Sequence, residues 1–382
     1  MSVNSRERLL LALNHMEPDK VPFDIGASQV TGISATAYKN LIKYLGMPEE
    51  KVEIFDVIQQ LAIPSEKFLQ KFGIDVRNVS PNNSSKWKLE LKKEGRYNFF
   101  IDQFGIKWRM PINGGFYYDM AEHPLADALE IEDIDNYIFP DPNDIDRYVG
   151  IRDCAQKVRD AGYGVVMSSI SAGMFELGGW LRGLANFYTD LAGEPEMACK
   201  LMDKALEFKM KYWGNVLDAA GDLIDVVQEA DDLGGQNNML ISPEMYRKYV
   251  KPRHKELFGF IRSKTNAKIF IHSCGSFKEI MPDLIEVGVD ILNPVQFNAK
   301  GMDAIGLKRD FGKDLVFWGG GVDTQRILPT GSVEEVKDCV KRQLEVLAPG
   351  GGYVFNTVHN IQPDVPPQNL VAMKEAFDEF YK

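Results

Sequence analysis

The sequence predicts an α/β fold closed into a (β/α)8 TIM barrel, and three observations carry that prediction. Eight short runs rich in Val, Ile and Phe recur along the 382 residues, most of them separated by longer segments of helical periodicity. Such alternation favours a parallel sheet covered by helices, and eight repeats favour closure over an open sheet. Polar residues also collect at the C-terminal ends of the runs, where a barrel of this kind assembles its site.

The elements follow in chain order. MSVNSRERLLLAL reads as the start of an amphipathic helix, without the basic region and small-residue cleavage site of a secretory signal. VPFDIG (21–26) and IDVRNVS (74–80) are the first two strands. Residues 86–121 break the pattern: WKLELKKEGRYNFFIDQFGIKWRMPINGGFYYD has antiparallel alternation with KKEGRYN as a hairpin turn. This insertion is expected to lie as a flap over one end of the barrel, with Trp108, Tyr117 and Tyr118 either lidding the cleft or packing the insertion. GVVMSSI (164–170), LIDVVQEAD (223–231), AKIFIHSC (267–274), VDILNPVQ (289–296), LVFWGGG (315–321) and GYVFNTVH (352–359) supply the other six strands. Amphipathic segments at 243–264 and 332–348 lie between them, the second opening on Ser332 and Glu335 at capping-box spacing. No repeat or compositional break divides the chain, so residues 1–382 are expected to form a single domain.

Composition narrows the classes of function. A net charge of -11 lacks the basic stripe that nucleic acid requires. No apolar run approaches the roughly 18 residues of a membrane span. Cysteines 154, 199, 274 and 339 have no framework spacing; the first two and the last read as buried structural thiols, and the cytoplasm is the expected compartment. Nothing fixes the subunit count, which leaves a homodimer open.

The chemistry concentrates in KIFIHSCGS. Alternate residues of a strand share a side, so Ile269 and Ile271 point one way while Phe270, His272 and Cys274 point the other. An imidazole and a thiol side by side before Gly275 are half of a zinc site, and the chain has only five histidines and four cysteines. Glu229 and Asp231 read as catalytic carboxylates sharing one face, with Glu229 as a fourth metal ligand or substrate contact and Asp232 turned away. Asp24, Gln296, Trp318 and Asn356 are the candidate substrate-binding residues, and Glu176 in MFELGGW lines the pocket mouth. Each also has a structural reading: a turn cap for the aspartates, loop backbone for Gln296 and Asn356, core for Trp318. His123 and His254 read as surface or helix positions.

The order ADDLGGQ, ISPEMYRKYVKP, IHSCGS, GVDILNPVQ, FWGGGVDT and APGGGYVFNTVHNIQPDVPPQN resembles the uroporphyrinogen decarboxylase superfamily, most densely over residues 221–370. That superfamily is itself built on a (β/α)8 barrel. Its decarboxylases carry an arginine-rich segment after the first strand to grip carboxylates, where this chain has DIGASQVTG and no arginine. The better likeness is to its zinc-dependent corrinoid methyltransferases, including the O-demethylase and methylcobamide:coenzyme M relatives. Their ligands follow a His-x-Cys pair and a distant Cys; His272 and Cys274 match the pair, and HNIQPDVPPQN puts His359 where the last thiolate stands. The resemblance therefore implies zinc held by His272, Cys274 and His359, and a methyl group moved from a small methylated substrate, a methyl ether, to a corrinoid (cobalamin). The chain has no DxHxxG corrinoid-ligating motif, so the corrinoid arrives on a separate protein. With one thiolate fewer, the site suits a Lewis acid better than thiol activation. Two other classes stand beside this reading: a metal-free decarboxylase, in which His359 only hydrogen-bonds, and a non-catalytic barrel that binds a tetrapyrrole or corrinoid.

Overall fold

The computed structural model describes residues 3–382. Seven strands form one parallel sheet whose spatial order follows the chain: β1 Val76–Val79, β2 Gly164–Met167, β3 Val226–Ala230, β4 Lys268–His272, β5 Ile291–Asn293, β6 Val316–Trp318 and β7 Tyr353–Val354. The predicted first strand is present as a short bridging segment that joins the two ends of this sheet. Asp24 N donates to Phe355 O and Phe355 N to Pro22 O just beyond β7, while Asp75 N donates to Phe23 O just before β1. The segment stays short for local reasons: Pro22 has no N–H to give to a ladder, and Gly26 turns the chain at φ 95°.

Asp75 fastens this closure. Its Oδ2 accepts from Phe23 N at 2.9 Å and its Oδ1 from Arg8 at 2.6 Å, and Arg8 is delivered by the N-terminal helix Ser5–Leu13. Strand register fixes the two faces of the sheet. Phe270 lies level with Gln228 and Ile291, and His272 with Ala230 and Asn293, so these six side chains share the inner face. Ile271 and Glu229 are level on the outer face, against helix Glu196–Ala220.

The insertion is a four-stranded antiparallel meander of Lys92–Glu94, Tyr97–Ile101, Lys107–Pro111 and Asp119–Glu122. Phe100, Ile106, Trp108 and Tyr118 are buried beneath it, whereas Tyr117 is exposed. Trp108 packs edge-on against Trp180 with ring centroids 5.2 Å apart, which seats the meander beside helix Met174–Arg182 at the mouth of the barrel. A small antiparallel pair, Ile54–Asp56 with Leu61–Ala62, lay outside the sequence expectation.

Two helical expectations are refined. The segment 243–264 is Pro243–Met245, a wide π turn at Tyr246–Val250, then helix Lys251–Lys264; Pro252, which has no N–H for the ladder, stands at the junction. Ser332 and Glu335 form the capping box as spaced. The expectation of three buried thiols is corrected: Cys339 is buried and Cys199 half-buried, but Cys154 is exposed. Helix Ile151–Asp160 buries Ile151 and Ala155, four residues apart, and Cys154 is rotated off that stripe. No helix among the described residues is long and apolar enough to cross a membrane.

Asp75→Ala removes the acceptor of Phe23 N and half of Arg8's partners, and should lower unfolding free energy by about 3 kcal/mol in urea titration.

Candidate metal centre

His272 is the last residue of β4, and burial alone would leave its ring free to adopt either tautomer. Asn293, level with it on β5, removes that freedom. The Asn293 amide donates its Nδ2 to Trp318 O at 2.8 Å, which leaves Oδ1 facing His272 Nδ1 at 2.5 Å. An oxygen there accepts only from Nδ1–H, so the lone pair of His272 sits on Nε2.

Cys274 is held by the loops that follow three strands. Its N–H donates to Asp232 Oδ1 at 2.8 Å, and the next N–H, of Gly275, donates to Gln296 Oε1 at 2.7 Å. Gly275 has φ 86°, and a Cβ there would come 2.4 Å from Gly234, so this crossing of loops needs glycine. The Cys274 Sγ then lies 3.4 Å from His272 Nε2. His359, beyond the end of β7, brings its ring within 5.4 Å of the His272 ring, centroid to centroid and inclined at 65°. One donor atom from each of His272, Cys274 and His359 lies within 4.8 Å of the others.

The donor set fits a zinc-like cation. Tetrahedral zinc with bonds of about 2.0–2.3 Å separates its ligand atoms by roughly 3.3–3.8 Å. The Sγ–Nε2 edge at 3.4 Å is already there, and the edges to His359 are no longer than 4.8 Å. Burial pushes both His272 and His359 down to about 4, so each is a neutral imidazole near pH 7. Burial, with Asp232 and Glu176 nearby, pushes the Cys274 thiol up, and a divalent cation in place of its proton reverses that.

The carboxylates are distributed differently from the sequence expectation. Glu229 was expected as a fourth metal ligand or substrate contact; it lies on the outer face, where Lys209 Nζ at 2.8 Å, Trp213 Nε1 at 2.5 Å and Ser169 Oγ at 3.2 Å occupy its oxygens. Asp231 was expected to share its face and touch substrate. Its Oδ1 instead accepts from Glu176 N at 2.7 Å, and its Oδ2 from Phe175 N and from His254 Nε2 at 2.9 Å, capping helix Met174–Arg182. His254, read as a surface or helix position, lies in helix Lys251–Lys264 and is buried. Asp232, expected to point away, has Oδ1 3.9 Å from His272 Nε2. Register explains the exchange: His272 is level with Ala230, and two residues on Asp232 returns to its side.

Asp24, Trp318 and Asn356 form a connected buried group beside the centre. Trp318 Nε1 donates to Asp24 Oδ2 at 2.9 Å, and Asn356 Nδ2 donates to Asp24 O at 2.9 Å. Burial raises the Asp24 carboxyl to about 7. Asn356 Oδ1 and Gln228 Nε2 are buried without a partner in the chain, which leaves one acceptor and one donor inside the barrel. Gln228 escaped the sequence reading because an interior glutamine has no motif; only the register with Phe270 exposes it.

Asn293→Ala should lower zinc affinity by about 10–100-fold in competition with a chromogenic chelator, because His272 loses its orienting partner. Lys209→Met strands a buried carboxylate and should cost about 3–5 kcal/mol in urea unfolding while zinc stoichiometry stays unchanged.

Comparison with known proteins agrees with this architecture. The family model for uroporphyrinogen decarboxylase (URO-D) matches residues 103–380. The uroporphyrinogen decarboxylase of Geobacter sulfurreducens is 28% identical over 66% of this chain and 71% of its own length. That of Citrifermentans bemidjiense is 27% identical over 58% and 60%, so the match spans less than two thirds of that relative. That of Alkalilimnicola ehrlichii is 24% identical over 98% and 94%. Among solved structures, a methyltransferase from Methanosarcina mazei has the same fold, with a TM-score of 0.66 and 20% identity over 100% of both chains. A ring of parallel strands with its polar residues at the C-terminal mouth, matched over most of its length by that family model, places this chain in the uroporphyrinogen decarboxylase (URO-D) family.

Proposed function

We propose that the protein is a zinc-dependent methyltransferase of the cytoplasm. In this reading it moves a methyl group from a small methyl ether to a corrinoid carried on a separate protein. The observation that carries the proposal is the convergence of His272, Cys274 and His359, with donor atoms within 4.8 Å of one another at the barrel mouth. Zinc bound there would supply a Lewis acid that draws electron density from the ether oxygen.

The chain's own residues would do the rest. Asn293 keeps His272 in the tautomer that presents Nε2, and Asp232 with Gln296 holds the loop that carries Cys274. Gln228 Nε2 and Asn356 Oδ1 have hydrogen bonds to offer a neutral polar substrate. The names of the curated relatives favour decarboxylation of a porphyrinogen instead. Against it stands the segment DIGASQVTG, which has no arginine to pair with the carboxylates of a porphyrinogen, beside Asp232 at the mouth.

Metal analysis of the purified protein should find about one zinc per chain. With free cob(I)alamin and an aryl methyl ether, the zinc form should convert the corrinoid spectrum to that of the methylated form. His272→Ala should lose both the zinc and the conversion. A metal-free protein that releases CO₂ from uroporphyrinogen would replace this reading with the decarboxylase.

A further inference from the structure

The strands of the sheet begin at the end of the barrel opposite the metal group, and a cleft of about 540 Å³ lies there. Lys268, the first residue of β4, shares the inner face with Phe270 and His272, so it lines this cleft from the far end of the strand that carries His272. The other walls are Arg6 of the N-terminal helix, Arg159 of helix Ile151–Asp160 and the segments 221–225 and 264–268 that lead into β3 and β4.

The carboxylates of the lining are already occupied. Asp225, which is buried, takes Arg6 Nε at 3.1 Å, Arg6 Nη2 at 2.8 Å and Val165 N at 3.0 Å. Asp222 takes both Nη atoms of Arg152, at 2.7 and 2.9 Å. The cations are not all matched in the same way. Arg159 makes no ion pair among the described residues and donates from Nη1 to the backbone oxygen of Asp222 at 2.6 Å, which fixes its guanidinium and leaves Nε and Nη2 over. Lys268 Nζ makes no hydrogen bond among the described residues. The carboxylate oxygen that comes within 3.9 Å of it is on Asp290, which Arg262 and Ile269 N already hold. Arg6 Nη1 is also left over, on a guanidinium that Asp225 keeps in one orientation. Lys264 borders the cleft too, but its ammonium is turned to Asp218 at 2.7 Å. Once each aspartate is matched with its arginine, Arg159 and Lys268 leave the lining with two positive charges, in a chain whose net charge is -11. The exposed amide of Asn266 adds neutral donors beside them.

We infer that this cleft is a binding site for a small, doubly charged oxyanion of the phosphate-monoester class. The planar fork of Arg159 and the point charge of Lys268 approach from two different elements, which suits a tetrahedral group with several acceptor oxygens. A single carboxylate would leave one of the two charges unmatched. The volume is that of a small-molecule site, and the acidic surface around it disfavours an extended polyanion. The site is separate from the metal group and does not depend on the methyl-transfer reading.

Titration calorimetry of the full-length protein tests this, with glycerol 3-phosphate and inorganic phosphate as probes and acetate at matched ionic strength as the comparison. One site should be seen for each phosphate and none for acetate. Binding of glycerol 3-phosphate should tighten as the pH rises through about 6, where a phosphate monoester loses its second proton. Arg159→Met and Lys268→Met should each weaken it by about 10-fold or more, since each removes a charged hydrogen-bond donor. Arg159 is on a surface helix, so its variant reads the site even if the change at the start of β4 lowers stability. No binding of either phosphate, equal binding of acetate, or an affinity unchanged in Arg159→Met overturns the inference. None of these results bears on the zinc or the methyl transfer, which are measured separately.

Discussion

The register of three neighbouring strands is the constraint on which the rest of the centre depends. Ala230, His272 and Asn293 lie in one row across β3, β4 and β5, all on the inner face. That row lets a β5 amide choose the tautomer of a β4 imidazole, and lets the carboxylate two residues beyond Ala230 return beside the same ring. A slip of one residue would turn His272 towards the helices and Ile271 into the mouth. The row is held from both ends: Asn293 is anchored through Trp318 O on β6, and Asp231 N donates to His272 O from β3.

The same register sorts the acidic residues into two kinds of work. Glu229 and Asp231 are buried and fully engaged, the first by Lys209 behind the wall, the second by a helix N-terminus and His254. Each is a charge removed from water and compensated within the chain, and neither is free to meet a ligand. Asp232 and Glu176 lie nearer the opening, unpaired with any Lys or Arg among the described residues. The two imidazoles and the thiol of the centre thus have acidic side chains beside them that no Lys or Arg among the described residues offsets.

The architecture was legible in the sequence because strand alternation and helix periodicity are local. The His272–Cys274 pair could be read from period two alone, and the meander from its turn and alternation. What escaped depended on register and closure. Alternation separates Glu229 and Asp231 from Asp232, but nothing in QEADD says which set faces inward until the level of β3 against β4 is known. Likewise Pro22 and Gly26 cut the first strand to a bridge, which an apolar run by itself does not reveal. His254, read as a surface or helix position, is on helix Lys251–Lys264, and its burial against Asp231 and Tyr246 is a long-range contact that no local period announces.

In the proposed zinc site, an imidazole at His359 in place of a second thiolate would have an electrostatic consequence. Two imidazoles and one thiolate would leave a divalent cation bound there with one positive charge, which a second thiolate would cancel. A positive centre withdraws electrons from a bound oxygen, and a neutral one is better at lending them through sulfur. Asp232 sits where it can offset that charge at 3.9 Å from His272 Nε2 without giving up its bond to Cys274 N. In the proposed zinc site the ligand identity and the position of Asp232 would thus act together, the one setting the charge of the centre and the other moderating it.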